Sequence, residues 1–381
     1  MNYRRLGKTG LMVSEIGLGA EWLERHNTQE CCDIIERCQA HGINILDCWM
    51  SEPNVRSNIG AGIKGSRESW YIQGHIGSTW QDGQYVRSRE LPAVKAAFED
   101  LLTRLGTDYI DLGMIHYVDA EEDMRQILDD SPYLQYVQKL KAQGRIRHIG
   151  ISTHNVKTAL MAANSGIVEV MLFSINPAFD TMPASEEAEY ITGEDFSGST
   201  GGLDPDRREL YRLCEEKGIG ITVMKSLAGG RLLDAKRSPF GAAMTTTQCL
   251  HYCLTRPAVS SVLVGYDTPE QVREILQYET ASDEEKDYAA ILASAPKMAY
   301  NGQCTYCGHC KPCPVNIDIA MVNKLYDLAV LHPSVPASLR EHYRALEHSA
   351  AECIGCKGCE SRCPFGVHVA QRMEDTAKLF A

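Results

Sequence analysis

Across residues 1–290, short runs that are apolar almost throughout alternate with stretches whose apolar positions recur every three or four residues. The runs are Ile16–Gly19, Ile43–Asp47, Trp70–His75, Tyr109–Ile115, Ile146–Ser152, Val168–Ile175, Ile219–Met224 and Ser261–Gly265. Strands that read this way, without polar alternation, are those of a parallel sheet buried on both faces. The periodic stretches include Glu30–His41, Glu90–Leu105, Tyr133–Gln143, Lys157–Asn164, Pro205–Lys217 and Pro269–Tyr278. Three of them run into a glycine, at Gly42, Gly144 and Gly218, the residue that most easily ends a helix. Eight strand–helix repeats predict an α/β protein of the (β/α)8 TIM-barrel class over 1–290. A doubly wound open sheet is the alternative, but no G-x-G-x-x-G follows the first strand.

The pattern changes after residue 290. Of the fifteen cysteines, Cys304, Cys307, Cys310 and Cys313 form one run and Cys353, Cys356, Cys359 and Cys363 a second. Proline follows each run directly, as Pro314 and Pro364. Three cysteines at two-residue gaps wrap one iron–sulfur cube, and a fourth before proline ligates the other cube of a two-cluster protein. The spacing therefore assigns Cys304, Cys307, Cys310 and Cys363 to one [4Fe–4S] cluster, and Cys353, Cys356, Cys359 and Cys313 to a second. Both runs resemble the bacterial ferredoxin motif, the first with its last gap one residue short. Structural zinc would need only a CxxC pair per half-site. Disulfides suit a secreted chain, and no secretory signal is visible. Between the runs, Ile317–Leu331 and Ser338–Glu347 read as helices, which makes 291–381 a small α-helical ferredoxin-like domain.

Composition narrows the class. The chain has 381 residues, 44% hydrophobic and 23% charged, as expected of a soluble globular protein. No apolar run is long enough for a bilayer. A net charge of −12 argues against a nucleic-acid partner. The scattered cysteines (Cys31, Cys32, Cys38, Cys48, Cys214, Cys249, Cys253) fit a reducing, cytoplasmic setting.

Five segments carry a family resemblance. Met1–Ser14 resembles the opening hairpin of aldo/keto reductases. Gly42–Asp47 (GINILD), Arg104–Asp111 (RLGTDYID), Gly144–Ser152 (GRIRHIGIS) and Val262–Gln271 (VLVGYDTPEQ) resemble that family's landmarks at strands two, four, five and eight. The cysteine-rich tail resembles the subgroup with two [4Fe–4S] clusters. The resemblance implies an oxidoreductase with an Asp, Tyr, Lys and His tetrad at the strand ends, the Tyr giving a proton to a carbonyl oxygen while NADPH gives hydride. Asp47 and His116 match two members. Glu52 stands at the tyrosine position and His75 at the lysine position. A carboxylate is a poor acid at neutral pH, whereas imidazole titrates there, so His75 is the expected replacement acid. Tyr117 is expected to face away from the pocket by strand alternation. His154 adds a third histidine, so that Asp47, His75, His116 and His154 would also suit a metal.

The implied nicotinamide pocket is partly present. Ser152 matches the family serine and Asn155 lies near its asparagine, while Leu172, Met224 and Asp267 stand at positions that usually carry an amide, an aromatic and a cation. Lys225 and Arg231, with the glycine-rich turns there and at Gly265, are candidates to hold a phosphate. The segment Met182–Asp206, with Glu186, Glu187, Glu189, Glu194 and Asp195, reads equally as a lid or as a solvated acidic loop. Three functions follow. The first is reduction of a small carbonyl or enone by cluster-delivered electrons, with a ferredoxin-like donor or acceptor and with a flavin left open as a converter. The second is NAD(P)H-dependent carbonyl or alcohol chemistry with His75 as acid/base. The third is a non-catalytic electron-transfer or docking subunit.

Overall fold

The computed structural model describes residues 1–185, 199, 201–295, 300 and 302–381. The acidic residues named in the Met182–Asp206 segment lie outside the described residues. The strands are β1 (Tyr3–Arg5), β2 (Met12–Ser14), β3 (Ile16–Gly19), β4 (Ile45–Cys48), β5 (Tyr71–Ile76), β6 (Ser78–Gln81), β7 (Gln84–Arg87), β8 (Ile110–Ile115), β9 (Ile146–Thr153), β10 (Val170–Ser174), β11 (Gly220–Met224) and β12 (Val259–Val264). Eight of them close a parallel barrel in the order β10-β11-β12-β3-β4-β5-β8-β9, with helices outside. The chain is thus a (β/α)8 barrel followed by a helical C-terminal region. The glycines after the first, fifth and Pro205–Lys217 helices take left-handed φ, at Gly42, Gly144 and Gly218, as their positions require.

Two features push the site to one end of the barrel. The hairpin β1/β2 pairs Tyr3 with Ser14 and caps the N-terminal mouth, where Leu6 and Val13 join Ile45, Leu112, Met114, Val170, Leu172 and Leu263 in an inner core. Gly7 permits that seal, since a Cβ there would fall 2.3 Å from the Gly218 carbonyl oxygen. With the floor filled by apolar side chains, the barrel's large cavity opens at the C-terminal mouth, where barrel enzymes carry their chemistry.

At that mouth stands an element the strand pattern does not announce. Strands β6 and β7 form an antiparallel hairpin inserted between β5 and the next helix, pairing Trp80 with Tyr85. Its turn, Asp82-Gly83, has φ of 51° and 77°, the left-handed pair of a type I′ turn that matches strand twist.

The C-terminal region holds helices Ile319–Ala329, Ala337–Arg344, Gly358–Arg362 and Val369–Leu379, the first two slightly shorter than their sequence pattern. It meets the barrel through Leu203, whose N–H donates to Gln303 Oε1 at 3.0 Å, and through Tyr288, whose hydroxyl donates to the Thr305 carbonyl at 2.6 Å. Among the described residues no helix is long and apolar enough to cross a membrane.

Candidate active site

Asp47 lies near the C-terminal end of β4, His75 near that of β5, and His116 directly follows β8. They are 4%, 3% and 3% exposed, so their polar atoms must be satisfied within the protein. Asp47 Oδ1 accepts from Gln73 Nε2 at 2.6 Å and lies 2.9 Å from His75 Nε2. His75 Nδ1 is 2.8 Å from His116 Nδ1, and His116 Nε2 is 2.6 Å from the Tyr85 hydroxyl. The result is an unbroken line from Asp47 through both imidazoles to a phenol on the inserted hairpin. Trp49 stacks on His116 with ring centres 6.1 Å apart and meets Tyr85 edge-on at 5.4 Å, which fixes both rings.

The environment sets the charge of two members. Burial holds His116 well below the ordinary histidine value, and His75 adds to the effect. Burial also pushes the Tyr85 hydroxyl up to about 12, against the pull of Arg87, so it stays a phenol that can donate. With all four ring nitrogens engaged in this line, Asp47, His75 and His116 have no lone pairs converging on one point. His154 is turned elsewhere: its Nδ1 and its backbone N–H both meet Asp119, at 2.9 and 2.6 Å. Burial would raise Asp119, but His154 and the hydrogen bonds around it bring the carboxyl below its ordinary value. The expected four-residue metal set therefore does not form, and no such group occurs among the described residues.

Other expectations are corrected. Glu52 is not in this site. It caps the helix Pro53–Gly62, its Oε2 accepting from the Val55 N–H at 2.7 Å, because Pro53 starts that helix and turns the carboxylate back on it. Asn155 caps the helix Val156–Ser165 in the same way and donates to the Asp119 carbonyl. Tyr117 does face the cavity: its φ of 47° breaks the strand alternation. Arg231 lies outside the cavity wall, whereas Lys225 is part of it. Gly265 is on the wall, where a Cβ would strike the Trp22 ring at 1.9 Å, so glycine there makes room for indole. Tyr85 escaped sequence reading, although the Asp82-Gly83 turn signals its hairpin.

The cavity above the line measures about 1200 Å³. Its wall runs from Asp47, His75, Tyr85 and His116 past Ser152, His154, Leu172 and Met224 to Lys225, Ser226, Asp267 and Gln271. It exceeds what a small substrate fills, since ligand sites of roughly 300–1,000 Å³ take drug-sized molecules.

A second, tight cavity lies in the C-terminal region and is lined by five cysteines, Cys310, Cys313, Cys353, Cys356 and Cys359, with Ile317, Ile319 and Met373 as apolar walls. Cys307 is within electrostatic reach of Cys363 and Cys310, and Cys310 is also within reach of Cys359. Burial pushes the Cys310 thiol up to about 12 and raises Cys304 and Cys307. Half-buried thiols crowded this way suit iron, which takes them as thiolates and offsets part of their mutual repulsion. Each cysteine of a cube binds a different iron, so the sulfurs need not converge on one point.

A sealed parallel barrel with acid/base groups at its C-terminal mouth, joined to a cysteine-rich helical region, defines an iron–sulfur oxidoreductase. The chain belongs to the aldo/keto reductase family, whose profile matches residues 15–245, and a 4Fe-4S dicluster domain matches residues 277–368. It is similar to the "uncharacterized oxidoreductase YqkF" of Bacillus subtilis (strain 168), 27% identical over 78% of this chain and 97% of that protein. It is also similar to the NADH-specific methylglyoxal reductase of Escherichia coli (strain K12), 23% identical over 71% of this chain and 88% of that protein. The aldo-keto reductase AKR11C1 from Bacillus halodurans (holo form) shares its fold, with a TM-score of 0.61 and 23% identity over 80% of this chain and 99% of that one.

Proposed function

We propose that the protein reduces a small carbonyl compound, with Tyr85 as proton donor in place of the family tyrosine. The observation that carries this reading is the line Asp47–His75–His116–Tyr85, three contacts of 2.9, 2.8 and 2.6 Å. With both imidazoles neutral, His75 Nε2–H donates to Asp47, His116 Nδ1–H donates to His75, and the phenol donates to His116. One further proton, resting on His75 against the Asp47 carboxylate, reverses the two upper links. His75 Nδ1–H then donates to His116, His116 Nε2–H donates to the Tyr85 oxygen, and the phenol O–H is free to point into the cavity. Transfer of that proton to a substrate oxygen moves each proton one link along and leaves His75 neutral. Burial of His116 keeps it a relay rather than a resting place for charge.

Reduction of a carbonyl to an alcohol takes two electrons and two protons; the line supplies one proton, and the second arrives as part of a hydride or, with single electrons, from solvent in the open cavity. Bound clusters supply single electrons, and a bound nicotinamide dinucleotide supplies hydride. We assign Cys304, Cys307, Cys310 and Cys363 to an inner cluster, and Cys313, Cys353, Cys356 and Cys359 to an outer one. Cys356 is exposed beside Ile354, which is 64% exposed, so a ferredoxin-like partner would meet the outer cluster first. The volume of the cavity favours a dinucleotide as well. Leu172 and Met224 offer the ring an apolar bed, and Lys225 and Ser226 offer donors. Asp267 would accept from ribose hydroxyls and repel a 2′-phosphate, which favours NADH. A small 2-oxoaldehyde of the methylglyoxal kind is the first substrate to try, by analogy with the Escherichia coli relative.

The test is an anaerobic titration of the purified protein with NADH and then NADPH, following cluster absorbance, with dithionite as reference. Bleaching by NADH is the expected result and couples the cavity to the clusters. Bleaching by dithionite alone would remove the dinucleotide and leave the clusters and an external donor as the electron source. Zinc in place of iron would defeat the cluster assignment.

A further inference from the structure

Among the described residues three arginines are buried, and two of them have carboxylate partners. Arg56 meets Asp100 at 3.1 Å and Arg207 meets Asp180 at 3.3 Å. Arg256, which follows the helix Thr246–Thr255, is 1% exposed and has only neutral partners. Its Nη2 donates to Thr255 Oγ1 at 3.0 Å and to the carbonyl of Thr305, and its Nε donates to the Tyr252 carbonyl at 3.3 Å. Its guanidinium lies over the rings of Tyr252 and Tyr306, at 4.3 and 5.0 Å. The acids in its surroundings are already taken: Asp180 holds Arg207, Tyr211 and Tyr252, and Asp327 holds Arg372 at 2.7 Å.

A guanidinium cannot shed its charge, and a buried cation without an anion is costly. Asp180 is within electrostatic reach of Arg256 but is shared with Arg207, and the inner cysteine group is a further source of negative charge on this side, reached through Thr305 and Tyr288. Thr305 sits between Cys304 and Cys307, and its carbonyl is held by Arg256 and by the Tyr288 hydroxyl together. Tyr288 is itself within electrostatic reach of Arg256, Cys304 and Cys307. Four thiolates around a cube carry net negative charge, and one-electron reduction adds another. Net charge and hydrogen bonding around a cluster are what set its potential.

We infer that Arg256 is the counter-ion of the inner cluster and raises its reduction potential relative to the exposed outer one. This rests on the cluster assignment proposed above. A fixed buried cation stabilises the electron-rich state, so electrons entering at the Cys356 side run inward towards the barrel. Arg256 acts through the cluster and is a positioning residue.

The test is an anaerobic EPR-monitored titration, with dithionite as the electron source, on the full-length holoprotein and its R256Q, R256K and Y288F variants. R256Q keeps a donor for Thr305 and loses the charge. One reduction wave is expected to fall by at least about 59 mV, a tenfold change in the reduced-to-oxidised ratio for a one-electron couple. The other wave, and both waves in R256K and Y288F, are expected to stay near the wild-type values. Loss of the inner cluster in R256Q but not in R256K would support the same role. Unmoved waves in R256Q, an equal shift in Y288F, or loss of the cluster in R256Q and R256K alike would make Arg256 a brace and overturn the inference. A wild-type protein with no iron-dependent EPR signal would defeat the cluster assignment first.

Discussion

Replacing Tyr85 with Phe removes one oxygen atom and leaves the ring. The edge-on contacts of that ring with Trp49 and His116, at 5.4 and 5.7 Å, do not involve the hydroxyl, so the hairpin should keep its place. What is lost is the 2.6 Å contact to His116 Nε2 and the only phenol on the line. A buried acceptor left without its donor costs about 1–3 kcal/mol of stability. A positioned general acid contributes roughly 10²–10⁴-fold to rate, or about 3–5 kcal/mol of barrier. Y85F should therefore be a folded, cluster-bearing protein whose kcat for a small aldehyde is down by about 10²–10⁴ while KM changes little. Single-turnover reduction measured anaerobically, beside the same measurement on the wild type, reads this directly. A Y85F protein within about threefold of wild type in that assay would show that the proton comes from elsewhere and that the line is only a structural network.

Further outcomes can be checked in the same preparation. Glu52→Ala removes a helix cap remote from the cavity, so it should cost about 1 kcal/mol of stability in urea melts and leave turnover unchanged; a large loss of activity would return Glu52 to the site. His116 is held below the ordinary value of 6.5, so the unfolded chain takes up its proton first on acidification. Its contribution to stability is full above about pH 6.5 and shrinks as pH falls towards the lower folded-state value, and His116→Gln should flatten that part of a stability–pH curve. Cys313→Ser should cost the outer cluster alone, lowering iron from about eight to about four per chain. Loss of all iron would mean that the two cysteine groups assemble as one.

The barrel was legible because strands buried on both faces leave no polar alternation to misread, and the cysteine spacing was legible because cluster chemistry dictates it. The active site was legible only where residues end strands, as Asp47 and His75 do. Glu52 and Asn155 were misplaced because counting along a loop says nothing of where a helix begins, and each carboxyl or amide was claimed by the first free N–H groups of a helix. Tyr117 was misplaced because one left-handed residue is enough to undo a strand's alternation. Tyr85 was hidden by distance: 38 residues of sequence separate it from Asp47, and only folding of the β6/β7 hairpin back over the barrel mouth brings them onto one line.

That hairpin has an implication for how such a site can change. Tyr85, the proposed proton donor, rides on an accessory ribbon closed by a two-residue turn, while Asp47 and His75 belong to barrel strands and His116 directly follows one. The donor's reach and acidity can thus be adjusted by edits near the hairpin's turn, while its base at Ser78 and Thr79 stays buried and hydrogen-bonded to Arg56 and Ser51.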